Sequence, residues 1–186
     1  MQAAKVGNVD IIDTLLSCFG IDVNYVTRKK ETPLFWAAKR GHENVVKLLL
    51  DNGAKPNMAN AEQDNPLLMA AYHGHKNVLE LLLARGAKPN VMNEAGFTPM
   101  AWVAVKGHKD LVQPLLAFGA NVNMANKSHV TPLHHASNEG HIEIVQLLLD
   151  GGAEPNAADG NGQTPLQLSR MRIYIDKQKM HYRMTQ

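Results

Sequence analysis

Thr32-Pro33-Leu34-Phe35-Trp36-Ala37-Ala38-Lys39-Arg40-Gly41-His42 decides how this chain is read, because the stretch comes back. A step of 33 residues lands on Asn65-Pro66-Leu67-Leu68-Met69-Ala70-Ala71-Tyr72-His73-Gly74-His75. Two further steps reach Thr98-Pro99-Met100-Ala101-Trp102 with Gly107-His108, then Thr131-Pro132-Leu133-His134-His135-Ala136 with Gly140-His141. A fifth start stands at Thr164-Pro165-Leu166. A fixed period of this length is the signature of a stacked repeat and outranks any local reading.

Within one period, Thr or Asn followed by Pro supplies a capping side chain and a pre-shaped first helical turn. Leu34, Ala37 and Ala38 then share one face at i, i+3, i+4 spacing. Gly41 ends that helix in a left-handed conformation that costs glycine little. A second apolar run, with Val45, Val46, Leu48, Leu49 and Leu50, predicts a second helix over Glu43–Leu50, stopped by Gly53. Helices this short do not persist alone in water, so neighbouring units must stack to share a core. Each unit closes on a Gly-Ala-x-x-Asn element: Gly53 to Asn57, Gly86 to Asn90, Gly119 to Asn123 and Gly152 to Asn156.

The unit resembles the ankyrin repeat, and the resemblance runs over essentially the whole chain. It implies an all-α solenoid of stacked helix-turn-helix units, with β-turn fingers at one edge and first helices lining a concave side. A single domain over residues 1–186 is expected. It would comprise a partial unit at 1–26, full units at 27–59, 60–92, 93–125 and 126–158, and a divergent C-terminal cap and tail at 159–186. Lys30, Gln63 and His129 stand where the family commonly has glycine, and a finger of the usual shape would hold Lys30 at positive φ at some cost. By the same resemblance His134 hydrogen-bonds near Thr131 of its own unit.

Three departures from the period carry expectations of their own. Gly7 lies 34 residues before Gly41, so one residue is inserted around 14–19. The first unit lacks its finger and Thr-Pro start, which predicts further repeats ahead of it, with a naturally truncated cap as the alternative. Pro114 takes the place of Leu48, Leu81 and Leu147 inside a second helix, a substitution that costs about 3 kcal/mol if fully interior and less if the helix starts late. Beyond Leu166, Arg170, Arg172, Lys177, Lys179 and Arg183 stud a segment that still holds Met171, Ile173 and Ile175; a cap through about residue 175 is expected, then a tail.

Composition fits this reading. Aromatics make up only 5% of the 186 residues, which suits a Leu/Ala solenoid, and the formal net charge is +2. The single cysteine, Cys18, excludes an internal disulfide and is read as a small buried hydrophobe. No stretch has the length of a membrane span, so direct membrane insertion is not expected. The resemblance implies a cytoplasmic or nuclear protein, including one injected by a bacterium into a host cell.

Little in the chain points to chemistry. His42, His75, His108 and His141 recur once per unit, roughly 10 Å apart, whereas a shared metal needs nitrogens at about 2 Å. Each is read as stabilising its own inter-helix loop. There is no Gly-x-Ser-x-Gly elbow, no phosphate-cradling Gly-rich loop and no His-Glu-x-x-His. No enzyme activity, cofactor or metal is expected.

What varies between units is the inner surface. On the family pattern, finger positions include Arg28, Lys29, Phe97 and Val130. Concave first-helix positions are Trp36, Lys39 and Arg40; Met69, Tyr72 and His73; Trp102, Val105 and Lys106; His135, Asn138 and Glu139. Aromatic and Arg side chains are the usual carriers of interface energy. Phe97, on a finger, is read as an exposed contact residue. Basic residues gather in the first full unit, followed by Glu62, Asp64 and Glu94. The expected partner is a protein or peptide with acidic groups toward the N-terminal end, bound by a chain monomeric on its own. A targeting or regulatory module of a larger protein is the alternative, and nucleic-acid binding the weaker third.

Overall fold

The computed structural model describes residues 1–19 and 21–169, without the side chains of Cys18 and Phe19. The reading of Cys18 and that of a cap and tail over residues 170–186 therefore fall outside the described residues. The elements are α1 (Gln2–Val6), α2 (Val9–Phe19), α3 (Pro33–Arg40), α4 (Glu43–Asp51), α5 (Pro66–His73), α6 (Lys76–Ala84) and α7 (Pro99–Lys106). A 3-10 turn at Lys109–Leu111 leads into α8 (Val112–Ala117), followed by α9 (Pro132–Glu139) and α10 (Ile142–Asp150). Helix begins again over residues 165–169. Among the described residues there is no strand.

The helix starts follow from their caps. Thr32 Oγ1 accepts from the Phe35 amide at 3.0 Å, Thr98 Oγ1 from Ala101 at 3.0 Å, and Asn65 Oδ1 from Leu68 at 2.9 Å. First helices pack in series, α1 on α3, α3 on α5, α5 on α7 and α7 on α9, with second helices similarly in line. One core runs the length of the stack. Leu49, Leu82, Leu115 and Leu148, one per unit, are all at most 2% exposed, and Ala37, Ala38, Ala70 and Ala71 are fully buried where first helices meet. The additional N-terminal length falls within a helix, since α2 has 11 residues against 9 in α4, α6 and α10.

Two sets of side chains bolt unit to unit. The loop histidines do not serve their own loops, as the sequence alone suggested. Nε2 of His42, His75, His108 and His141 donates to the carbonyl of Lys5, Lys39, Tyr72 and Val105, each in the preceding unit, at 3.1 to 3.3 Å. That reach adds a steric demand for glycine at Gly7, Gly41, Gly74 and Gly107, beyond their positive φ: a Cβ on Gly41 would lie 2.6 Å from Nδ1 of His75. The second set is the terminal Asn of Gly-Ala-x-x-Asn. Asn90 Nδ2 donates to the Gly119 carbonyl at 2.9 Å while its Oδ1 accepts from the Asn121 amide at 2.7 Å. Asn24, Asn57 and Asn123 make the same paired bridge. Asn90→Ala is expected to cost about 1–2 kcal/mol, the net worth of two solvent-exposed hydrogen bonds whose freed groups water then reaches; urea unfolding followed by helicity measures it.

Each finger is a tight turn closed by a backbone pair such as Asn60 N to Asp64 O, 2.8 Å, and organised by the side chain at its first residue. Asn60 Oδ1 accepts from Glu62 and Asp64, and Asn126 Oδ1 from Ser128 and Val130. Lys30 does take a positive φ, 59°, and Gln63 and His129 share it at 61° and 57°. His134 does bond within its unit: Nδ1 lies 2.8 Å from Thr131 Oγ1 and accepts from the Thr131 amide at 3.1 Å. Its Nε2 goes further and donates to Gln163 of the next finger at 3.1 Å.

Pro114 is accommodated by a late helix start. The 3-10 turn absorbs Lys109–Leu111, so Pro114 is the third residue of α8, where no intrahelical amide bond is owed. Its counterparts Leu48, Leu81 and Leu147 are only half-buried. Pro114→Leu should therefore change stability by less than about 1 kcal/mol, well under the penalty for an interior proline; a thermal melt shifted by the full interior penalty would contradict this.

Candidate functional site

Arg28 and Lys29 are exposed on the first finger, and the Lys29 carbonyl accepts from the Ala61 amide of the next finger at 3.0 Å. Arg40, His73 and Lys106 are exposed at the ends of α3, α5 and α7. Trp36, Lys39, Tyr72, Phe97, Trp102, Val105, Val130, His135 and Asn138 are half-buried. Asn138 Nδ2 donates to Glu139 Oε1 at 3.1 Å. Met69 is not a surface residue. It is only 7% exposed and packs with Phe35 and Leu68 in a small apolar cluster that Trp36 and Trp102 flank.

Phe97 also departs from expectation. Its ring is not free on a finger tip but folds back and stacks on Trp102, with centroids 3.9 Å apart and planes 14° apart. His135 lies 5.3 Å from the other end of that stack, and Tyr72 meets Trp102 edge-on at 4.7 Å. His73 continues the row against Tyr72 and then His75. Rings from three successive units thus form one row, and Lys106 Nζ sits 4.4 Å from the Tyr72 ring centroid. Geometries of this kind add about 0.5–1.5 kcal/mol per pair beyond area burial.

The two tryptophans occupy equivalent places, 66 residues apart, with opposite outcomes. Trp36 Nε1 donates to Glu31 Oε2 at 3.2 Å, and Lys5 Nζ lies 3.8 Å from its ring centroid. Its polar handle and one face are already engaged. At Trp102 the position of Glu31 is taken by Phe97, and the buried Nε1 has no hydrogen-bond partner among the described residues. An acceptor has been exchanged for a ring.

Electrostatics vary along the surface. Burial, followed by the charge of His134, lowers the pKa of His135 below the ordinary 6.5, against an opposing pull from Glu139. A depressed imidazole contributes stability that is present above 6.5 and lost as pH falls through its folded value. The urea midpoint should accordingly decline in mild acid, and less so in His135→Gln. Burial raises the pKa of Asp64, helped by Glu62 and opposed by the Asn93 hydrogen bond and by Lys39. Its charge therefore weighs against the fold as pH rises through the carboxylate range.

Among the described residues no three His, Cys, Asp or Glu side chains converge as a metal site requires, and no helix is long and apolar enough to cross a membrane. What the geometry defines is a repeat solenoid, with constant residues between units and variable ones along its inner face. The chain belongs to the ankyrin repeat family: the family described as "Ankyrin repeats (3 copies)" matches residues 1–93 and 85–159. Such repeats are protein-interaction modules, and proteins are the partners they imply.

Individual relatives match over short stretches. Cortactin-binding protein 2 of Rattus norvegicus is 41% identical over 59 residues, 32% of this chain and 4% of that protein. The Mus musculus protein of the same name gives the same identity and coverage. Ankyrin repeat-containing protein YIL001W of Saccharomyces cerevisiae is 46% identical over 52 residues, 28% of this chain and 10% of that protein. The chain thus spans a small fraction of each relative's length.

Proposed function

We propose that this protein is a non-catalytic scaffold that binds a partner protein or peptide across its concave first helices and finger tips. The observation that supports this best is the ring row of Tyr72, Trp102, Phe97 and His135, which the stacking bridges do not require and the other units do not repeat. A stacked solenoid loses little freedom on binding, so its inner face acts as a preorganised surface. Arg28, Lys29, Lys39 and Arg40 at the N-terminal end favour a partner that is acidic there, setting direction and association rate. The name of the rat relative records a protein ligand, which supports the class of partner and not its identity.

The matched stretch fills only a small part of the rat and yeast relatives, which favours a second reading as well: the same surface serving as the targeting or regulatory part of a longer polypeptide. The test is quantitative capture from cell lysate by the wild type, by an inner-surface variant (Tyr72→Ala with Lys106→Glu) and by a variant of the opposite face (Lys47→Glu). Partners lost only from the inner-surface variant support the proposal. Partners lost only from Lys47→Glu overturn it.

A further inference from the structure

The last residue of each first helix, directly before its left-handed glycine, falls in one file along the stack: Arg40, His73, Lys106 and then Glu139. The first three are basic and exposed. None of the three forms an ion pair among the described residues. The pairs that do form, Lys76–Glu80, Arg85–Asp51 and Lys109–Glu143, belong to second helices and their flanking turns. The cations also converge: Lys39, Arg40, His75 and His108 all act electrostatically on His73, and Lys106 leans back over Tyr72.

Spacing selects the ligand. Helices α3, α5 and α7 pack side by side, and each such step is roughly 8–10 Å. A polyproline II strand rises about 3.1 Å per residue with three residues per turn, so same-facing side chains recur every ~9 Å. A β-strand returns to one face after about 6.6–6.8 Å and falls out of register within one step. An α-helix returns after seven residues at ~10.5 Å, but it docks by laying an apolar face into an open groove. Here the rings beside the file are already packed against one another. A polyproline II segment needs no such groove for a continuous apolar face, and its backbone needs no partner.

We propose that this file receives an extended, polyproline II-type segment of a protein partner bearing Asp or Glu at every third residue, one carboxylate to each of Arg40, His73 and Lys106. The proposal rests on the protein-interaction reading above and names its ligand chemistry. His73 adds a pH dependence. Burial, then the charges of His75, Lys39, Arg40 and His108, hold its imidazole below the ordinary value, so it gains charge only on acidification. Binding therefore tightens in mild acid and weakens as pH rises.

Fluorescence anisotropy on the full chain tests this with three synthetic probes of equal charge. They are a Glu-Pro-Ala repeat, an isomer of the same composition with irregular Glu spacing, and an Ala-rich helical peptide with Glu at every seventh residue. A thymidine oligonucleotide is the fourth arm. The Glu-Pro-Ala repeat should bind best, losing roughly two- to fivefold for each cation removed in Arg40→Gln or Lys106→Gln. His73→Gln should flatten the pH dependence, and His73→Lys should hold the tight state at neutral pH. Equal binding of the irregular isomer, tighter binding of the helix or the oligonucleotide, or indifference to the substitutions overturns the inference. If no peptide binds while captured partners still depend on the inner surface, this inference falls and the interaction reading stands. Capture that ignores the inner surface defeats that reading whatever the peptides do.

Discussion

Gly74→Ala is expected to destabilise the protein by about 2–5 kcal/mol, whereas Gly53→Ala should cost only about 1–2 kcal/mol. Both glycines hold left-handed backbone, at φ 75° and 84°, so both substitutions carry the same conformational penalty. They differ in what the new methyl group meets. At Gly53 nothing lies within 4 Å, but at Gly74 the Cβ would sit 2.7 Å from the His108 ring. That ring must move, and its Nε2 hydrogen bond to the Tyr72 carbonyl, 3.2 Å long, goes with it. The loss falls on a junction between units, and in a stack held by nearest-neighbour contacts a weakened junction reduces cooperativity as well as stability. Urea unfolding of both variants is the measurement; equal losses would mean that the histidine does not bolt the units together.

The second large effect is on binding. Phe97→Glu restores at the third unit what Glu31 provides at the first, a carboxylate within reach of a tryptophan N–H. Satisfying the buried Trp102 Nε1 recovers about 1–3 kcal/mol, offset by about 0.5–1.5 kcal/mol from the lost ring stack and about 1–2 kcal/mol from the half-buried apolar area of the ring. Stability should therefore stay within about 2.5 kcal/mol of the wild type. Partner affinity should instead fall by about 2 kcal/mol or more, roughly thirtyfold, because the change takes a ring out of the row proposed to contact the partner and puts a charge in its place. Melting compared with the affinity for a captured partner reads both quantities. Binding that survives would show that the Phe97 ring belongs to the fold alone.

The repeat was legible because its signals are local. A cap, a proline, two alanines and a terminating glycine lie within ten or so residues and act on one another there. Asn65 could be assigned as a cap for the same reason, whereas the positive φ of Lys30 followed only from the family resemblance. The loop histidines were placed correctly but given the wrong partner. His75 adjoins Gly74 in sequence, yet its ring bonds to Lys39, 36 residues earlier. Nothing within a single unit reveals a bond made across the stack. Phe97 departs from its expected place for a related reason: finger residues read as exposed, and only the meeting of Phe97 and Trp102 with His135 of the adjoining unit shows the ring folded inward. Met69 sits in the same column as Trp36 and Trp102, but its flexible chain drops into the small cluster with Phe35 and Leu68.

The division of labour between bridging residues and a variable inner face is tested most directly by hydrogen exchange on the protein with and without a captured partner. Added protection is predicted at the finger over residues 93–97 and in the last turns of α5 and α7, with α4 and α6 unchanged. Protection concentrated on α4 and α6, with the inner face exchanging as in the free protein, would contradict the account.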